Sequence, residues 1–357
     1  MRVTRLRPTP ASELEPATGA ESPDHSEHSA RTGAATMIGA ALAALEDEGI
    51  EWCLLRGEVE VRSPGDDVDL LVAAKDLGRL STVLDRAGFL PLAADGRGSH
   101  AFFVRYLEDD DVWVKLDFVT EISFGRYQEL RTGAAEGVLT RRHNTNGVWL
   151  AAPDDAFWML LFHCLLDKRR VPPGHAERLQ ELAPAAEPEN ELARAAASSL
   201  PGGWDADRLI EVARTGNDQQ LETLAPTLRS RWRRRDPLTA GSRLVANAAL
   251  RKLKLSSFRR RGARVHLVGP ASAAWLVAAS LPAGCPLPLN VLAQSGLAVR
   301  YHLARGRLVV QLGPPSARAA SPDSLLVDVT TDLSESRRRV SCQLWRRYAA
   351  SVLATRG

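Results

Sequence analysis

The segment Gly65-Asp66-Asp67-Val68-Asp69-Leu70-Leu71-Val72 decides the reading of the chain. Successive side chains of a β-strand point to opposite faces. A strand over 67–72 therefore puts Val68, Leu70 and Val72 on one face and Asp67 and Asp69 on the other. The preceding Ser63-Pro64-Gly65 is turn chemistry. A second stretch, Asp111 to Val119, repeats the pattern: Val112, Val114, Leu116 and Phe118 form an apolar face, while Trp113, Lys115 and Asp117 share the other. If the two strands are neighbours, three carboxylates converge on one rim.

Three close carboxylates stay ionised together only around a cation. Hard oxygen ligands of this kind suit Mg²⁺ or Mn²⁺. A pair of such ions can clamp an in-line displacement at phosphorus. One would activate an acceptor hydroxyl and the other would hold a triphosphate, with Asp117 helping to deprotonate the acceptor. Asp67, Asp69 and Asp117 are thus the candidate metal ligands and catalytic residues. The opposite reading makes Asp67 and Asp69 solvated acids on an edge strand. Lys115 lies two residues before Asp117, on the same face; it either contacts a phosphate or neutralises the carboxylates.

Around these strands the chain reads as an α/β protein. Ala35 to Asp47 spaces Ile38, Leu42 and Leu45 at helical intervals, and Glu51 to Arg56 is a short buried strand ending at Gly57. Lys75 to Ala87 is a helix and Ala101 to Leu107 a strand, with the acidic turn Glu108-Asp109-Asp110 before the Asp117 strand. Five segments follow from texture: a disordered tail over 1–35, an α/β core over 36–150, a helical extension over 151–228, a basic linker over 229–262 and a small α/β domain over 263–357.

Composition narrows the function classes. The 357 residues are 45% hydrophobic and 25% charged, which excludes a wholly disordered, collagenous or membrane-embedded protein. The 46 basic residues nearly balance 43 acids, for a net charge of +3, so the chain is not a basic nucleic-acid coat. Four cysteines without a Cys-x-x-Cys pair argue against a zinc knuckle or a disulfide scaffold and fit a reducing cytosol. No apolar export segment opens the chain and no run is long enough to span a bilayer, so a cytoplasmic protein without a membrane partner is expected. The stretch Arg229 to Arg264 concentrates arginine and lysine around Trp232 and is either a nucleic-acid contact surface or a solvated interdomain helix.

The motifs Cys53-Leu54-Leu55-Arg56-Gly57, Gly65 to Val72 and Trp113 to Phe118 resemble the nucleotidyltransferase domains of the DNA polymerase β superfamily. The resemblance covers about residues 37–170. It implies an α+β mixed-sheet fold, a metal-held NTP as donor, and transfer of a nucleoside monophosphate to a hydroxyl acceptor with loss of pyrophosphate. It assigns Asp67 and Asp69 to the metal and makes Asp117 the third acid. It places Gly57 and its successor Glu58 at the triphosphate. The family has a small residue after the glycine, so the carboxylate of Glu58 would repel the phosphates unless it points away.

Two further segments carry resemblances. His163-x-x-x-Asp167-Lys168, on the apolar helix begun by Pro153-Asp154-Asp155, is similar to a short signature that follows the nucleotidyltransferase core in related bacterial proteins. His163 or Lys168 then reaches a nucleotide phosphate, or His163 is a packing lock tied to Asp167. Arg264 to Leu281 resembles the start of a thymidylate kinase-like P-loop domain. Ala274, Trp275 and Leu276 stand where the second glycine, the lysine and the hydroxyl of the phosphate loop belong, so the domain reads as degenerate. A non-catalytic relic of such a fusion, acting as a nucleotide binder or scaffold, is the alternative to an enzyme.

Overall fold

The computed structural model describes residues 24–55, 67–92, 98–253, 263–287, 289–292, 308–312, 324–330 and 332–353. Gly57 and Glu58, residues 1–23 and residues 254–262 of the basic stretch lie outside the described residues.

Helix α1 (Asp24–Asp47) leads to strands β1 (Trp52–Leu54) and β2 (Asp67–Val72). Helix α2 (Leu77–Arg86) then crosses to β3 (Leu90–Leu92), β4 (His100–Leu107) and β5 (Val112–Val119). A small ribbon, β6 (Ser123–Phe124) with β7 (Leu130–Arg131), precedes α3 (Ala135–Arg141) and the hairpin β8 (His143–Thr145) and β9 (Val148–Leu150). The sheet order is β3-β4-β5-β2-β1-β9-β8. β2 pairs with β5, and β1 with β9, in parallel; the other pairs are antiparallel. The chain is a mixed α/β protein, as the alternation of its strands and helices implies.

One sheet face is apolar as read: Val68, Leu70, Val72, Val114, Leu116 and Phe118 pack under Ile38, Leu42 and Leu45 of α1 and Leu80 and Leu84 of α2. The spacing that buries α1 runs back to Ala34, which is fully buried, and the helix begins at Asp24. Helix α1 therefore starts within the expected tail, and Ala34 is packed in the core.

The helical extension covers part of the opposite face. It comprises α4 (Pro153–Phe162), a π-helical turn (His163–Lys168), α5 (Pro173–Leu182), α6 (Glu191–Ala197), α7 (Ala206–Arg214) and α8 (Asp218–Arg235). Phe157, Trp158, Leu161 and Phe162 bury against Cys53, Leu71 and Val119. In α8, Leu221, Leu224, Ala225, Leu228 and Trp232 recur at helical spacing and are buried. The helix therefore runs through residue 229, where the linker was expected to start. Helix α9 (Pro237–Leu253) follows after one residue.

The C-terminal module is a parallel sheet, β11 (Leu289–Leu292), β12 (Leu308–Leu312), β10 (Ala263–Val268) and β13 (Ser324–Asp328) in that spatial order, with helices α10 (Ala271–Gly284) and α11 (Leu333–Leu353). Gly269 is required at the turn after β10: its φ is +148°, and a Cβ there would fall 2.2 Å from the carbonyl oxygen of Val329. Helix α10 starts at Ala271, directly after Gly269-Pro270. The positions aligned with a phosphate loop are thus helical, Ala274 is buried and Leu276 exposed. No phosphate-cradling loop forms, because the second glycine that would hold it open is an alanine packed in the core. Among the described residues no helix is long and apolar enough to cross a membrane.

Much of the basic stretch serves this architecture. The buried carboxylate of Glu129 accepts from Arg229 Nη2 and Arg233 Nε, each at 3.0 Å, and from the Tyr127 backbone N–H at 3.0 Å. Burial alone would push this carboxyl up, but the two guanidiniums and the backbone donors outweigh it and hold the group below the usual carboxylate value. Arg243 donates to both oxygens of Glu121, and Arg231 and Arg235 donate to the carbonyls of Leu200 and Ala195.

Replacing Glu129 by Gln leaves the Arg229 guanidinium buried without its counter-charge, which costs about 3–5 kcal/mol. Because the folded-state carboxyl is depressed, its stabilisation is present above the unfolded value and is lost as pH falls through the folded one. Chemical denaturation should show Glu129→Gln well below wild type at pH 7, with the gap closing as pH falls below about 4, near the ordinary glutamate value.

Candidate functional site

The parallel register of β2 and β5 sets Asp67 beside Lys115 and Asp69 beside Asp117. Directly opposed residues of neighbouring strands share a face, so the strip expected from alternation forms across two adjacent strands. The antiparallel register of β4 and β5 adds His100 and Phe102 to the same face, with Phe102 opposite Asp117 and His100 opposite Val119.

This strip lies between two apolar masses. At one end Leu71 and Val119 pack beneath the helical extension. At the other, Leu90, Leu92, Phe102, Val104, Tyr106 and Trp113 pack in one cluster with Val340, Leu344 and Tyr348 of the C-terminal module. The acids between them are therefore only partly solvated, and they have cationic or hydrogen-bonding partners. Lys115 Nζ lies 2.6 Å from Asp67 Oδ2 and 4.5 Å from the centroid of the Phe102 ring. His100 Nδ1 lies 2.5 Å from Asp117 Oδ1, with the Asp117 side chain only 8% exposed. Of the two uses expected for Lys115, neutralisation of a carboxylate is the one its contact displays.

Among the described residues, no three or more His, Cys, Asp or Glu side chains are grouped to hold a metal ion. The expected three-carboxylate cup is thus not assembled: Asp67 is drawn to Lys115 and Asp117 to His100. The donor chemistry itself fits a hard divalent cation, since carboxylate oxygens are the ligands such ions take. Asp69 and Asp117, side by side in the register, are the pair that could hold one.

His163 and Lys168 lie elsewhere, on the π-helical turn. His163 Nδ1 is 2.9 Å from Asp167 Oδ2, and Asp167 Oδ1 accepts from the Gly125 N–H at 2.6 Å. His163 Nε2 is buried with no hydrogen-bond partner. This is the geometry of a lock between the helical extension and the β6–β7 loop. Lys168 is exposed. Gly125 closes that loop with φ +92°, where a Cβ would fall 2.5 Å from Glu129 Oε2. Burial pushes the Cys53 thiol up to about 12.

His100 is a site residue that the sequence reading missed. The signal was present: counting outward from the Leu107–Val112 pair that closes the β4–β5 turn puts His100 on the face of Asp117.

No family model matches the chain, and no curated protein matches it. Among solved structures, the solution structure of the antibiotic-resistance factor ANT(2″)-Ia matches with 16% identity and a TM-score of 0.31, over 54% of this chain and 96% of that one. A likeness at that TM-score decides nothing about fold or function.

Truncating His100 to Ala removes a hydrogen bond from a buried carboxylate and should cost about 1–3 kcal/mol. Lys115→Met removes a partner from Asp67, whose side chain is 37% exposed; that should cost less than about 1 kcal/mol. Melting of the two variants at neutral pH checks this ranking, and the reverse order would mean that Asp67 and not Asp117 is the stranded charge.

Proposed function

We propose that the chain is a nucleotidyltransferase that moves a nucleoside monophosphate from an NTP to a hydroxyl of its acceptor, with release of pyrophosphate, at the face formed by Asp67, Asp69 and Asp117. The observation that supports this most is the register pairing of Asp69 with Asp117 on a partly buried strip. Asp69 and Asp117 would hold a divalent cation, Mg²⁺ or Mn²⁺, which when bound neutralises triphosphate charge and acidifies the acceptor hydroxyl. Asp67 joins them if Lys115 turns from it to a donor phosphate. Gly57 and Glu58 are assigned to the triphosphate, and His163 or Lys168 to a phosphate contact, by the family resemblance alone; the bond of His163 to Asp167 favours Lys168 for that contact. The arginines of the Arg229–Arg264 stretch that bind Glu129, Glu121 and backbone carbonyls are engaged within the chain, which weighs against an RNA acceptor held by them.

A second reading has a specific observation in its favour. The pairs Lys115–Asp67 and His100–Asp117 satisfy two of the carboxylates without a metal, as in a non-catalytic scaffold that has kept the fold.

One experiment separates the two. Melting curves of wild type and Asp69→Asn are recorded in EDTA and in Mg²⁺ with each NTP. Removing one of two neighbouring like charges should leave the EDTA melting temperature unchanged or slightly raised. A ligand at a hundred times its Kd stabilises by about 2.7 kcal/mol, and the wild type should show such a shift with one NTP while Asp69→Asn loses it. A wild type that shifts with no NTP in Mg²⁺ points to the scaffold. A mutant that melts lower in EDTA yet keeps the full ligand shift rules out Asp69 as a metal ligand.

A further inference from the structure

We propose that the C-terminal module is a positioning element of the carboxylate face, and that Phe102 is the positioning residue through which it acts. The reading of that face as the reaction site is the one given above; the linkage itself is a matter of packing.

The module grips the sheet at the acidic turn between β4 and β5. Arg337 Nη2 lies 2.9 Å from Asp111 Oδ2, Arg346 Nη2 lies 2.8 Å from Glu108 Oε2, and Arg338 Nε donates to the Glu108 carbonyl at 2.9 Å. Tyr348 Oη donates to the Pro91 carbonyl at 2.6 Å, so the helix is also tied to β3. The rings of Trp345 and Trp113 meet edge to face at 6.0 Å. Trp113 lies two residues from Lys115 on the same strand face.

Phe102 connects this docked mass to the site. It is buried in the cluster that holds Val340, Leu344 and Tyr348. Its ring carries the Lys115 ammonium at 4.5 Å, and the His100 ring lies against it at 5.4 Å. Those two side chains are the partners of Asp67 and Asp117. A ring that supports both partners fixes where two of the three carboxylates point, and the C-terminal helix is part of what keeps that ring in place. The module thus serves the site by holding one wall of it, a task that needs no phosphate loop.

The test reads Lys115 directly and needs no nucleotide, so its failure is distinguishable from failure of the transferase reading. The full chain has only five lysines. Amine-reactive labelling followed by mass spectrometry gives the rate at each, with Lys75, 67% exposed, as the internal control against Lys115, 17% exposed. Arg346→Glu, which places two acids together at the turn, should raise Lys115 labelling several-fold and leave Lys75 unchanged. Adding Glu108→Arg to that variant restores the pair with its charges exchanged and should return Lys115 to its slow rate. Phe102→Leu keeps an apolar side chain in the cluster and removes the ring; it should raise Lys115 labelling while proteolysis shows the C-terminal helix still docked. Phe102→Leu also decides the matter if the reversed charge leaves the helix seated. Wild-type labelling of Lys115 in Phe102→Leu overturns the proposal, as does a rise that the charge exchange fails to reverse.

Discussion

Parallel neighbours cannot be joined by a tight turn; they need a crossover. Between β2 and β5 that crossover is α2 with β3 and β4, and α2 holds it by burying Leu80, Val83 and Leu84 on the apolar face of the sheet. The pairing so enforced is the constraint on which the site depends. Side chains alternate with period two, so a slip of one residue would carry Asp117 to the opposite face from Asp69. Such a slip would also expose Val114, Leu116 and Phe118, which are buried beside Val68, Leu70 and Val72. The apolar face therefore fixes the register, and the register gathers the acids.

Like charges gathered in a half-apolar setting need compensation. The dielectric beside the Phe102 ring and under the flanking helices is lower than in water, so both repulsion between Asp69 and Asp117 and attraction to Lys115 and His100 are stronger there. The protein meets this with one ammonium and one imidazole, each supported by the same aromatic ring. Such an arrangement gives Asp67 and Asp117 partners without a metal. The two functional readings differ in whether Asp117, beside Asp69, exchanges its His100 partner for a cation, and in whether Asp67 then gives up Lys115 to join them.

The strands were legible because each carries one unbroken apolar face. In 67–72 and 112–119, alternation names the residues of the buried apolar face, and all of them are buried; the other face of β5 is covered too, with only Lys115 half-buried, which alternation does not foretell. Neighbourhood of the two strands was not legible, since it depends on a crossover whose packing lies outside both segments. The Arg229 to Arg235 run misled for a related reason. A count of charge does not contain the partner, and Glu129 is remote in sequence; the apolar spacing of Leu221, Leu224, Leu228 and Trp232 was the better guide to a helix running on. The α1 boundary failed similarly, because Ala34 is small and its burial adds little to an apolar pattern.

Strand β5 brings the two basic helices into one account. Beyond its C-terminal end, Glu121 is held by Arg243 of α9 and by Arg131 of β7. Just before its N-terminal end, the turn 108–111 is held by Arg337, Arg338 and Arg346 of α11. Pairs this exposed contribute little each, and the buried clusters on either side supply most of the docking energy. Directional bonds at the two ends nevertheless limit how far the strand can shift along its axis. Lys115 and Asp117 lie in the middle of that span. Arg243, which a charge count would send to an external polyanion, thus helps fix the position of the strand carrying the site, as do the arginines of α11.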